Sequence, residues 1–256
     1  MKNIIVFILF FAALTFTAQA QDDLFGKTSK LPPRKGFIIG VNGNFDNPAG
    51  DMAKRFGLSY RVGGQVLYKL KSNWVWGAKV DFIIGSKIKE DSLLINLKDN
   101  YGMVNGQDGN KVFLTTRELG YMIGLQAGKI INISKTSSDN GIMFLTSVGF
   151  LQHKINIYNK DQNVATLKGD YRKGYDRLTN GLFLEEYVSY NYFANNGLIN
   201  FNIGLDFMAG FTKGRRDYLY DVMRPDNNSR IDILFGIRGG WYIPMFKRKS
   251  EEFFFE

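Results

Sequence analysis

Ile199-Asn200-Phe201-Asn202-Ile203-Gly204-Leu205-Asp206-Phe207-Met208-Ala209-Gly210-Phe211 is apolar at every second position. Ile199, Phe201, Ile203, Leu205, Phe207, Ala209 and Phe211 share one face; Asn200, Asn202, Gly204, Asp206, Met208 and Gly210 share the other. Successive side chains of a strand point to opposite sides, so a period of two reads as a β-strand with one apolar face. The next run repeats it. Ile231, Ile233, Phe235, Ile237, Trp241 and Ile243 oppose Asp232, Gly236, Arg238 and Gly240.

Working outward, six further segments read the same way: 37–45, 58–70, 74–85, 117–130, 141–158 and 182–192. The segment 141–158 is the least regular, with apolar residues on both faces of its first half. In 182–192, Glu186 falls on the apolar face near the strand start. The total is eight strands. Their connections alternate in length: a twelve-residue loop, the turn Lys71-Ser72-Asn73, a loop of some thirty residues, and a turn around 134–140. A loop near 159–180, the tight Ala194-Asn195-Asn196-Gly197 and a last loop over 212–230 follow, with Asn-Gly a hairpin signal. Long loops on one side and short turns on the other are the rhythm of a membrane barrel, and most strands, at nine to fourteen residues, suit a tilted crossing. The fold class expected is all-β, an eight-stranded antiparallel up-and-down transmembrane β-barrel with long extracellular loops and short periplasmic turns.

The amino terminus agrees. Lys2 precedes an apolar run over 4–16, and Ala18-Gln19-Ala20 supplies the small-x-small pattern of a signal-peptidase site. Thirteen apolar residues are too few to span a bilayer comfortably, so 1–20 reads as a signal peptide. The chain then divides into a periplasmic arm 21–35, a barrel 36–246 and a periplasmic tail 247–256. No cysteine occurs, which excludes a lipoprotein anchor and disulfides. No later segment has eighteen consecutive apolar residues, so no transmembrane helix is expected. Removing Lys2 leaves 32 basic against 24 acidic residues, a net charge of +8. The 28 glycines, 22 phenylalanines and 13 tyrosines fit a barrel.

An eight-stranded barrel is just wide enough for side chains to fill it. Small inward glycines make room for Arg61, Gln65, Lys79, Asp81, Glu118, Glu185, Asp206 and Arg238, whose opposite signs can pair as a lumen network. Tyr68, Trp74, Trp76, Tyr192, Phe193, Trp241 and Phe246 lie toward the short-turn ends and read as an interfacial aromatic girdle.

With the signal peptide ending Ala18-Gln19-Ala20-Gln21, the Gly/aromatic strands and the final Phe235-Gly236-Ile237-Arg238-Gly239-Gly240-Trp241-Tyr242-Ile243 in view, the chain resembles the small outer-membrane β-barrel proteins common in Bacteroidota. The resemblance covers roughly 36–246. It implies the fold and an outer-membrane location, and carries over no functional residue. It departs in one respect: ten residues follow Phe246, where such chains often end on the terminal aromatic.

Chemistry-bearing motifs are few. His153 is the single histidine, toward the outer end of its strand, and Leu151-Gln152-His153-Lys154 holds no nucleophile partner, so no enzyme is expected. No cofactor motif occurs, and Asp91, Asp99 and Asp108 lack calcium-site spacing. The outer loops interleave cations with tyrosines: Lys168, Arg172, Lys173 and Arg177, then Arg215 and Arg216. They are candidate contacts for lipopolysaccharide phosphates or acidic glycans; an exported barrel rarely meets nucleic acid, which is not an expected partner. Phe253, Phe254 and Phe255 near the end are candidate partner-docking residues, and the arm with its Pro32-Pro33 is a candidate for the same work.

The expected function is a non-enzymatic outer-membrane barrel acting as a structural or interaction subunit, such as an accessory of a secretion or barrel-assembly complex. Its partners would be outer-membrane lipid and lipopolysaccharide, with outer-membrane or periplasmic proteins. Two alternatives stay open: a narrow pore for ions or small solutes, and a soluble periplasmic ligand-binding barrel with its apolar faces turned inward.

Overall fold

A computed structural model describes residues 30–90, 92–159, 164–194 and 199–246. The expected signal peptide, the tail with Phe253, Phe254 and Phe255, Asp91, and the Asn-Gly turn lie outside the described residues. The strands are β1 (Gly36–Gly50), β2 (Ser59–Lys69), β3 (Trp74–Gly85), β4 (Val104–Asn105), β5 (Lys111–Val112) and β6 (Thr115–Asn132). They continue with β7 (Gly141–Tyr158), β8 (Thr179–Phe193), β9 (Asn200–Gly214), β10 (Arg216–Leu219), β11 (Arg224–Asp226) and β12 (Ser229–Phe246). One short helix, α1 (Met52–Arg55), follows β1.

Eight of these close into a ring in the order β1-β12-β9-β8-β7-β6-β3-β2, each pair antiparallel. Sequence neighbours are spatial neighbours throughout, and the first strand meets the last. It is an up-and-down barrel, and closure leaves no unpaired edge. The small pairs β4–β5 and β10–β11 belong to the long loops.

Burial alternates along the strands in the phase that the sequence predicts. Ile203, Leu205 and Phe211 point out and are 55, 69 and 60 % exposed, whereas Asp206, Asn202 and Arg238 point in and are buried. A soluble barrel would need the opposite arrangement, so the reading with apolar faces turned inward is overturned. An apolar outer face over a polar interior is the arrangement of a transmembrane barrel.

Several strand boundaries differ from the sequence reading, most of them by lengthening. β1 runs past Phe45 to Gly50, because Asp46 and Pro48 continue the inward series. It stops at Gly50, where φ is +61° and a Cβ would lie 2.4 Å from the Ile231 carbonyl. The first loop therefore shrinks to residues 51–58. β6 gains Thr115 and Thr116 at one end and Ile131 and Asn132 at the other, so that both it and β7 are 18 residues long. Their outward positions turn from apolar to polar at Arg117 on β6 and at Gln152, Lys154 and Asn156 on β7. The outer thirds of this hairpin project beyond the apolar belt.

Candidate functional site

The centre of the lumen is an ion network drawn from six of the eight barrel strands, β1, β2, β3, β8, β9 and β12. Arg61 donates from Nε and Nη2 to Asp46 at 2.6 and 2.9 Å, from Nη1 to Glu185 at 2.6 Å, and also to Asp206. Lys79 pairs with Asp81 at 2.6 Å and with Glu185. Arg238 donates to Gln65 Oε1 at 3.0 Å and lies 3.5 Å from Asp206. Its guanidinium also covers the Tyr187 ring, 4.6 Å from the centroid. None of the charged side chains has exposed surface. Three cations face the four carboxylates of Asp46, Asp81, Glu185 and Asp206, so charges that would be costly alone are paired, with one carboxylate in excess. Glycine makes the space: a Cβ on Gly63 would sit 2.0 Å from Asp81 Oδ1, and one on Gly40 would meet the Tyr242 ring at 2.8 Å.

The structure thus brings Arg61, Lys79, Asp81, Glu185, Asp206 and Arg238 together, and separates Glu118 from them. Glu118 takes the Ser59 hydroxyl at 2.5 Å instead. Asp46 is the member that sequence reasoning missed. The apolar residues of the first strand alternate only as far as Phe45, one residue short of it.

His153 is 1 % exposed and faces inward. Its Nε2 is 2.9 Å from Asp232 Oδ2, the oxygen that also accepts from Thr212 Oγ1 at 2.5 Å. Phe56, from the segment after α1, packs edge-on against the imidazole at 5.5 Å. In this arrangement the carboxylate, not the imidazole, contacts the hydroxyl, so His153 does not activate Thr212. The ring is enclosed, out of reach of a lipid at the rim.

At the long-loop end the connections fold over the mouth. Met52, Phe56, Leu93, Leu94, Val104, Val164, Leu167 and Tyr175 form an apolar lid continuous with the lumen residues Ile83, Met122, Leu151 and Phe183. Ion pairs brace it. Arg177 holds Glu90 at 2.7 Å and Asp221 through two bonds, one of them 2.9 Å. Arg55 reaches Glu90 at 2.8 Å, Arg216 grips Asp176 at 2.7 and 2.5 Å, and Arg230 takes Asp226 at 2.6 Å. Arg177 accepts a left-handed φ of 52° to do this. Burial opposes its charge, yet Glu90 and Asp221 raise its pKa above the ordinary value. Beside it the Tyr175 phenol is pushed up by burial, by Asp221 and by Tyr220.

These contacts give two of the six loop cations expected as outer anion contacts another role. Arg177 and Arg216 are braces of the lid with their charge already matched. Lys173 pairs with Asp170 at 2.5 Å on the surface, Lys168 donates to Gln107, and Arg215 donates to Asn180. Arg172 lines a cleft of about 460 Å³ with Lys168, Asn156 and Tyr158. Asp99 and Asp108 hold turns in the loop before β6 by accepting backbone N–H groups.

At the short-turn end, the described part of the arm crosses under the barrel. Leu31 pairs with the β6–β7 turn, its N–H donating to Thr136 O and its carbonyl accepting from Ser138 N, both at 3.0 Å. Arg34 donates to Asp139 from its backbone at 3.0 Å and from Nε at 2.6 Å, while Lys69 joins the same carboxylate at 2.7 Å. The last six residues of the arm are therefore seated on their own barrel. Phe193 and Phe246, expected in the girdle, instead fill this mouth. Phe193 stacks on Tyr242 at 5.6 Å, and Phe246 abuts Phe193 beneath the Arg34 guanidinium. Each has the inward parity of its strand. Trp74, Trp76, Tyr192 and Trp241 do face outward.

No family model and no curated protein matches the chain. Among solved structures it is similar to Ail, the attachment invasion locus protein of Yersinia pestis, in complex with the heparin analogue sucrose octasulfate. That similarity has a TM-score of 0.44 and 9 % identity, over 82 % of this chain and 98 % of that one. It is also similar to Neisserial surface protein A, with a TM-score of 0.42 and 8 % identity over 79 % and 95 %. The outer membrane protein OprG from Pseudomonas aeruginosa gives 0.39 and 13 % over 83 % and 99 %.

Proposed function

We propose that this chain is an integral outer-membrane barrel with a closed lumen, non-enzymatic, and acting as a structural or interaction subunit. The observation that carries the reading is the buried layer of Arg61, Arg238 and their carboxylates inside an apolar belt. A pore would need a water column through this layer, where neither guanidinium has exposed surface. Activity then belongs to the ends of the barrel. The lid offers exposed Tyr101, Phe113 and Met223 on a braced support. Exposed apolar side chains on a rigid frame suit a protein contact.

The finer reading is an accessory subunit of an outer-membrane secretion or barrel-assembly complex, exported by a signal peptide with both termini in the periplasm. It is supported by the lid and by the sequence of the tail with its three phenylalanines. Lipopolysaccharide is the expected lipid partner, and the Bacteroidota resemblance belongs with this reading. Purification of a tagged copy from native membranes in mild detergent tests it. A partner should co-purify and be lost when Tyr101 and Phe113 become serine or when 253–256 is deleted. A strictly monomeric barrel indifferent to all of these changes would overturn the subunit role, and recovery without detergent would overturn the membrane location.

A further inference from the structure

On the outside of the β6–β7 hairpin, the belt ends in two cations. Leu119 pairs with Lys154, and Arg117 with Asn156, so Arg117 and Lys154 are diagonal neighbours on the same outward face. Diagonal pairs of this kind are about 7–8 Å apart at the backbone, within reach of one another's long side chains. Among the described residues neither makes an ion pair or a side-chain hydrogen bond. Elsewhere at this end the buried Arg55 and Arg177 and the half-buried Arg216 and Arg230 all hold carboxylates. Glu118, adjacent to Arg117 in sequence, faces the lumen and Ser59. The outward neighbours of the pair are Thr115, Leu119, Gln152 and Asn156, none of them acidic. Two adjacent like charges therefore stand unneutralised at the polar edge of the belt.

Directly below them is a cleft of about 440 Å³ lined by Phe82, Ile84, Leu119, Tyr121, Gln152 and Lys154. Its walls are apolar on the belt side and cationic or amide-bearing on the rim side. Lys154 belongs to both the cleft and the cation pair. A ligand that fills it needs an alkyl chain below and an anion above, in that order along the barrel axis.

We propose that this cleft binds a phosphorylated, acylated glycolipid of the outer leaflet, with one acyl chain against Phe82, Ile84 and Tyr121 and the phosphate bridging Arg117 and Lys154. The assignment rests on the outer-membrane reading, which supplies the direction of the axis. It is separate from the loop cations, because Arg117 and Lys154 rise from the barrel wall. A phosphate shared by a guanidinium and an ammonium forms charge-assisted bonds, and it removes the repulsion between them.

The test is native mass spectrometry of the full mature chain released from mild detergent, with bis-phosphorylated lipid A or its dephosphorylated form added. Wild type is expected to keep a stoichiometric adduct with the phosphorylated lipid and to lose it with the other. R117Q/K154Q should weaken retention about tenfold or more, whereas K98Q on a loop surface should not. Both substituted side chains face outward; should the double variant fail to fold by heat-modifiable gel mobility, K154Q alone is read in its place. Equal retention of the dephosphorylated lipid, or an unchanged adduct in the variants, overturns the site. Displacement of the lipid by millimolar inorganic phosphate would also overturn it, by showing an anion site without a lipid requirement. Partition of the unaltered chain into the soluble fraction would instead overturn the membrane reading beneath it.

Discussion

Arg61 on β2 and Asp46 on β1 meet fork to fork, Nε to Oδ2 at 2.6 Å and Nη2 to Oδ1 at 2.9 Å, with no exposed surface on either side chain. The same guanidinium serves Glu185 and Asp206, so one cation ties together strands from opposite sides of the ring. Asp46 has no other cationic partner within ion-pair distance among the described residues. R61A should therefore cost about 3–5 kcal/mol, the usual consequence of stranding a buried partner. Urea titration of the folded gel mobility measures it, and a loss below about 1 kcal/mol would show that the pair is not stabilising.

The same layer closes the path along the axis. Planar-bilayer recording of the purified protein is expected to show no steady unitary conductance at either polarity. Reproducible channels in the unaltered protein would require the Arg61–Arg238 layer to open.

Glu186 is the eighth of fifteen residues in β8, outward-facing, between Thr146 on β7 and Phe207 on β9. The longer strand moves it from the end, where the sequence reading set it, to the middle. A carboxyl group facing hydrocarbon there is destabilising, though less so than lysine or arginine at the same depth. E186L should stabilise the barrel in phospholipid vesicles by on the order of 1 kcal/mol. If it destabilises instead, Glu186 has a partner in the bilayer.

Tyr175 gives the lid an alkaline limit. Its phenol is raised above the usual 10 chiefly by burial, and then by Asp221 and Tyr220. A group whose folded pKa lies above its unfolded value contributes stability that is whole below about pH 10 and is lost as pH rises through the folded value. Above pH 10 the lid should loosen before the barrel, seen as protease cleavage near Arg177 while the gel mobility stays folded. Y175F should remove one raised step from the tyrosinate absorbance titration. An unchanged titration would disprove the assignment.

Much of the barrel was legible because a strand writes its two faces as a period of two. Ile199 to Phe211 alone gives direction, sidedness and a lumen charge at Asp206. The same parity puts Phe193 and Phe246 inside, although their residue type and their place near the short turns suit a girdle. The lid was not legible. Whether Arg177 meets a phosphate or Glu90 depends on how loops almost ninety residues apart in sequence fold over one mouth, and loop sequence carries no period that records it. The outer cation pair was hidden for a related reason: Arg117 and Lys154 become neighbours only through the β6–β7 register.

The arm beneath the barrel has a mechanical meaning. From Leu31 against Ser137 it leads to Gly36 at the root of β1, and the β6–β7 turn lies three strands from β1 one way round the ring and four the other. It is a diameter, not a fringe. Arg34 on this strut also sits over Phe246 at the foot of β12. A barrel that opened sideways would part between its first and last strands, and both are moored to the far wall through the same few residues. The Asp139 clasp is thus a latch on the seam, to be released before any gate could swing there and fastened only after the central hairpin is in place.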